Sequence, residues 1–159
     1  MSDKKPREAK PKVEDVAMNY LEEDNLKNLF NFLEFLKSIK LNPRWHATNS
    51  WSINHKGKKI CYIQLSEKHS WTIMHNRLFF EEYDKYVDDE LKEFVWNNMN
   101  SPRCAPNCNG LESLTIMGKK FDEVCSCWPL MIDNADGATL EYLKKIIEIR
   151  KNIIADCFS

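Results

Sequence analysis

Residues 44–76 do most to fix the fold class. There Trp, Ile, Tyr and Thr alternate with polar residues, which is the period of a half-buried strand. Strands are expected at Trp51–Lys56, Lys59–Leu65 and Ser70–Asn76, with a shorter one at Trp45–Asn49. Gly57-Lys58 offers a tight hairpin turn. The segment also echoes itself: Trp51-Ser-Ile-Asn-His55 and Trp71-Thr-Ile-Met-His75. In each copy Trp, Ile and His share one face, because side chains alternate along a strand. In a meander the two copies flank the middle strand, roughly 9–10 Å apart, so His55 and His75 are too distant to hold one metal. Hairpin register decides what joins them. A two- or four-residue loop sets Ile53 opposite Tyr62 and His55 opposite Ile60. A one-residue slip brings Cys61, Ile63 and Leu65 to that face instead. Both registers are open.

Helices surround this sheet in the sequence. Leu26, Leu29, Phe30, Leu33, Leu36 and Ile39 recur at helical spacing, with Asp24 as N-cap and Pro43 beyond the end. A further helix is expected within Val13–Glu23. Asp88 caps a helix over Asp89–Asn98 with Leu91, Phe94 and Val95 on one face. Short strands are expected at Leu114–Met117 and Trp128–Ile132, with a turn at Gly118-Lys119. Asn134 or Asp136 caps a final helix whose wide apolar stripe, from Leu140 to Ile154, marks it as central. Together these elements predict one α+β domain over residues 13–159, an antiparallel meander packed by N-terminal and C-terminal helices. Residues 1–12 carry five basic residues, two prolines and almost nothing apolar, so they are expected to form a disordered basic tail.

A net charge of −1 gives no global electrostatic footprint for DNA or RNA, and no nucleic-acid partner is expected. No run approaches the roughly 18 apolar residues of a membrane span, and the N-terminus lacks the apolar stretch of a secretory signal. A cytoplasmic location follows as the expectation. In that reducing setting cysteines serve as metal ligands, redox thiols or core residues rather than as disulfides.

Four of the six cysteines fall close together: Cys104, Cys108, Cys125 and Cys127, as Cys-x3-Cys and Cys-x-Cys. Two close pairs around a short insert suit a tetrahedral thiolate site, and zinc is the expected metal. Cys127 is the least certain member of the set. Cys104 and Cys108 lie in a run dense in Pro, Asn and Gly, hence a loop. They are also the candidates for an alternative function, a thiol-dependent redox or transfer enzyme. Cys61 and Cys157 are expected in the core and the tail.

The sequence has no Gly-rich phosphate loop, no His-Glu-x-x-His helix and no nucleophile elbow. Its many aromatic residues are expected first to fill the core; if the sheet carries a ligand pocket instead, Trp51, Trp71 and Tyr62 are its apolar walls and His55 and His75 its orienting groups. The leading expectation is therefore a non-enzymatic small-molecule-binding or sensor-like domain with a Cys–metal site, whose partner is an apolar small molecule. A protein-interaction module using the N-terminal tail is a further alternative.

Several segments carry a resemblance. These are Asn49-Ser-Trp51, Lys59-Ile-Cys-Tyr-Ile63, Ser70-Trp-Thr-Ile73, Glu82-Tyr-Asp-Lys-Tyr-Val87, Thr115 to Cys125, and the ending Ile149-Arg-Lys-Asn-Ile153. Together they resemble a family of small clostridial α+β proteins, distantly similar to gyrase-inhibitor-like effector-binding domains. The resemblance spans about residues 26–155. It implies a compact α+β unit with an apolar, aromatic-lined groove for small molecules.

Overall fold

The computed structural model describes residues 10–75, 81–99, 111–125 and 127–157. Its elements follow the order α1 (Val13–Tyr20), α2 (Glu23–Ser38), β1 (Arg44–Ala47), β2 (Ser50–His55), β3 (Lys58–Ser66), β4 (Ser70–His75), a short 3-10 turn (Glu81–Lys85), α3 (Asp89–Asn97), β5 (Leu111–Ile116), β6 (Lys119–Cys125), β7 (Leu130–Asp133) and α4 (Gly137–Cys157). Strands β1, β2, β3, β4 and β7 form one antiparallel sheet in that spatial order, and β5 pairs with β6 in a separate two-stranded ribbon. The α+β class and the antiparallel meander expected from the sequence are what the chain adopts, with β7 added at the edge beside β4. Strand β6 was not anticipated. Its charged start, Lys119-Lys-Phe-Asp-Glu123, masks the alternation that ends in buried Val124.

The slipped register is the one adopted: Ile53 faces Cys61 rather than Tyr62, and His55 does not face Ile60. Lys56 and Gly57 form the hairpin turn, with φ of 48° and 75°, and His55 faces Lys58. A β-bulge follows, so Asn54 faces Lys59 but Ile53 faces Cys61, leaving Ile60 as the extra residue. The tight turn and the slipped pairing coexist because one inserted residue absorbs the difference. Cys61, Ile63 and Leu65 therefore join Trp51 and Ile53, and Ile60 is buried with them. The turn falls one residue earlier than expected. The β5–β6 turn does the same, at Met117 and Gly118 with φ of 50° and 86°. Turns with positive φ at both central positions favour glycine at the second, which is where both glycines sit.

The face bearing Trp51, Ile63, Trp71 and Ile73 is the core face. Helices α1, α2 and α4 lie against it. From α2 come Leu29, Phe32, Leu33 and Leu36, and the Phe32 ring sits 6.1 Å from that of Trp71. From α4 come Leu140, Leu143, Ile146 and Ile147. Helix α3 stands beside α4, where Phe94 stacks on Tyr142 at 4.5 Å, and Trp96 Nε1 donates to the Ile116 carbonyl to tie the β5–β6 ribbon to it.

Helix ends follow local chemistry. Asp88 accepts from the Leu91 N–H and Asp136 from the Thr139 N–H, so Asp136 rather than Asn134 caps α4. Asn134 instead clips β4: its side chain accepts from the Trp71 N–H and its own N–H donates to the Trp71 carbonyl. Asp24 is not a cap. Helix α2 starts two residues earlier, behind Glu22, with no side-chain capping bond, and Asp24 sits in its first turn, where a carboxylate suits the helix dipole. The carbonyls at the helix C-ends are met by distant side chains, Ile39 by Lys151 Nζ at 2.6 Å and Tyr20 by His69 Nδ1 at 2.7 Å.

Candidate ligand-binding site

Strand β1 pairs only with Ser50 to Ser52, so the far end of β2 is left without a neighbour on that side. The chain entering β1 and the segment entering α1 pass on either side of this gap. Between them lies an open groove of about 650 Å³, within the size range of small-molecule sites. One wall is Lys10 to Glu14. The other is Asn42, Pro43, Arg44 and Trp45, with Lys37 from the last turn of α2 at one end. Trp51, Ser52 and Asn54 of β2 form the floor.

Specific bonds hold these parts. Trp51 Nε1 donates to the Pro11 carbonyl at 3.0 Å, which anchors the N-terminal wall to the sheet. The Lys10 ammonium lies 5.6 Å over the Trp45 ring, and Asn54 Nδ2 donates to Ser52 Oγ at 2.9 Å. Residues 10–12, at the end of the expected tail, thus have defined contacts.

The five ligand residues proposed from the sequence are not gathered into one pocket. Trp71 and His75 sit inside the core, 0% and 1% exposed, under the helices. Trp51 is also buried, and only its edge meets the groove. His55 is half-buried at the hairpin end. Tyr62 projects from the opposite face, in a row with Ser52 and Met74. It is enclosed there by the His46 ring at 5.2 Å and the Trp128 ring at 5.0 Å, with Lys59 Nζ 5.0 Å over it. The alternation in the sequence assigns faces, but not which face the helices cover.

His75 belongs to a buried polar cluster. Burial first, and then the nearby Arg150 guanidinium, push its pKa down to about 4, while a hydrogen bond to the Ile60 backbone opposes them. Its Nε2 has no partner. Arg150 comes from α4, Nη1 donating to the Tyr83 hydroxyl at 3.3 Å and Nη2 to the Lys59 carbonyl at 3.4 Å, while Nε is unpaired. Arg150 escaped the sequence reading. The available signal was its position on the apolar stripe of α4, among Ile146, Ile147, Ile153 and Ile154.

The groove residues Lys10, Lys12, Lys37, Arg44 and Trp45 were also not proposed as a site. They come from separate segments, and only the Arg44-Trp45 pair hinted at a cationic, aromatic surface.

Of the four clustered cysteines, Cys104 and Cys108 lie outside the described residues. Cys125 is buried and accepts from the Trp128 N–H through Sγ, at 3.4 Å, whereas Cys127 is exposed. The two therefore differ in environment, although i and i+2 positions of a continuing strand share one face; β6 ends at Cys125. Among the described residues no group of three His, Cys, Asp or Glu side chains is arranged to hold a metal, and no helix is long and apolar enough to cross a membrane. Cys61, at the β-bulge, is fully buried, which pushes its thiol pKa far up and makes it unreactive.

Comparison with protein families, curated proteins and solved structures finds no match for this chain.

Proposed function

We propose that the protein is a non-enzymatic small-molecule-binding domain, of sensor-like type, and that its ligand lies in the groove between the N-terminal segment and the β1–β2 edge. The observation that carries this is the groove itself: a solvent-open concavity of about 650 Å³ beside two tryptophans and ringed by polar side chains. Most of its lining is polar, with Trp45, Pro43 and the edge of Trp51 supplying the apolar part that ligand pockets need. The resemblance to effector-binding domains implies the same class of activity. Within it, Trp51 keeps its expected place at the ligand, Trp45 joins it, and Trp71 and His75 support the sheet from behind.

A thermal-shift screen of a chemically broad compound set tests the proposal. A ligand at 100 times its dissociation constant should stabilise the fold by about 2.7 kcal/mol. That stabilisation should vanish in Trp45→Ala, a half-buried position at the groove wall. A ligand whose effect survives Trp45→Ala binds elsewhere, and a screen without any shift removes the proposal.

The structural zinc site of Cys104, Cys108, Cys125 and Cys127 is a separate part of the proposal and rests on sequence spacing. Elemental analysis of protein purified without added metal measures it. Zinc near one equivalent, lost together with stability in chelator, is expected; none bound and no change in chelator rejects it.

A further inference from the structure

We infer that the groove is built for an anion, specifically a small phosphorylated molecule with a planar ring. The inference rests on the small-molecule proposal above and adds the chemical class.

Charge is the first ground. Lys10, Lys12, Lys37 and Arg44 line the groove against one carboxylate, Glu14. The chain as a whole carries −1, so cations are concentrated here against the average of the molecule. Among the described residues the ion pair within 4 Å is Lys144–Glu141, on α4. None of the four groove cations is held by a carboxylate of a described residue. Cations converging on one concavity without counter-charges raise the local concentration of anions and favour ligands with several negative charges. Arg44 adds a planar fork that matches two phosphate oxygens at once.

Ring chemistry is the second ground. The Lys10 ammonium occupies the Trp45 ring face at 5.6 Å. A planar ring could replace it on that face, and the released ammonium would then meet the ligand's phosphates. Ser52 and Asn54 on the floor offer hydroxyl and amide groups to a polar ring edge. The size of the groove suits a mononucleotide rather than a folded partner.

Calorimetry on the full chain, with ATP, tripolyphosphate and adenosine as probes in EDTA, tests this at 50 and 300 mM salt. ATP should bind and tripolyphosphate more weakly, with adenosine weakest. ATP affinity should fall by about tenfold or more at the higher salt, as expected for exposed charges within a Debye length. Arg44→Gln with Lys37→Gln, both at exposed positions, should weaken ATP binding by about tenfold or more with little change in the melting temperature. Adenosine binding as tightly as ATP, or salt-independent binding, overturns the anion inference and leaves the small-molecule proposal standing. So does a neutral screening hit that needs Trp45 while all three probes fail. Tight binding of a single-stranded oligonucleotide with no ATP binding also overturns it, because a strand rather than a small molecule would then be the ligand. If no probe or screening compound binds, both fail together.

Discussion

Strands β2 and β4 carry the same motif, Trp-x-Ile-x-His, on the same face of one sheet, yet its residues meet different surroundings. In β2, beside the short edge strand, Trp51 turns its indole N–H outward to the Pro11 carbonyl, and His55 ends half-buried at a hairpin. In β4, between β3 and β7, the Trp71 indole N–H is buried without a partner, and His75 is enclosed near Arg150. Alternation fixes which way a side chain points. The number of neighbouring strands and helices fixes what it meets there. The edge copy borders a groove, and the central copy is scaffold.

The comparison breaks most readily at the tryptophans. Trp71→Ala should cost about 3–5 kcal/mol in urea unfolding, because the cavity is closed by Phe32 and the surrounding core. Trp51→Ala should cost less, since the groove lets water and neighbouring chain fill the space. Equal losses would mean that edge and centre do not differ as described.

The histidines give the next largest effect. Burial holds the folded His75 neutral with a pKa of about 4, below the ordinary 6.5. The unfolded chain therefore takes up the proton first. The stability contribution is complete above pH 6.5 and is lost as pH falls toward 4, by about 3 kcal/mol over that window. His75→Leu should flatten most of this part of the pH profile; His55→Leu should flatten it less, because burial, Lys151 and Lys56 lower the pKa of His55 too but that ring is only half-buried. Arg150→Met should raise the His75 pKa measured by NMR, but not to 6.5, since burial is the larger cause. An unchanged profile in His75→Leu would assign the acid sensitivity to another group.

Hydrogen bonding separates the same tryptophans more finely. Trp51→Phe removes the bond to Pro11 and should cost about 1 kcal/mol beyond the loss of packing, with faster proteolysis before Val13. Trp71→Phe removes no hydrogen bond and relieves an unpaired buried N–H, so its cost should be the lost volume less that relief. Identical proteolysis of Trp51→Phe and the parent would show that the bond does not hold the groove wall.

The smallest effects lie in the hairpin that ends the β2 copy. Gly57→Ala should cost about 1 kcal/mol, because the added Cβ meets no atom within 4 Å and only the positive φ opposes it. Lys56→Asn should stabilise by about a few tenths of a kcal/mol, since Asn tolerates the left-handed region better than Lys. A larger loss at Gly57 would mean that the turn also sets the bulge at Ile60, and would be visible as altered exchange at Cys61.

Periodicity by itself determined the α+β class, the three meander strands, the core stripes of α2 and α4, the cap at Asp88, and the shared face of Trp51 with Ile53 and Trp71 with Ile73. Each follows from spacing that one segment carries alone. Tertiary structure decided the rest. The bulge at Ile60 reconciles a tight turn with a slipped pairing, and two-residue periodicity cannot place one extra residue. Lys10, Lys37, Arg44 and Trp51 meet around one groove because an edge strand stops short and two connections pass beside the gap. Arg150 comes beside His75 because α4 crosses the sheet at that point. Such meetings join residues far apart in the chain, and their placement depends on how every intervening element packs.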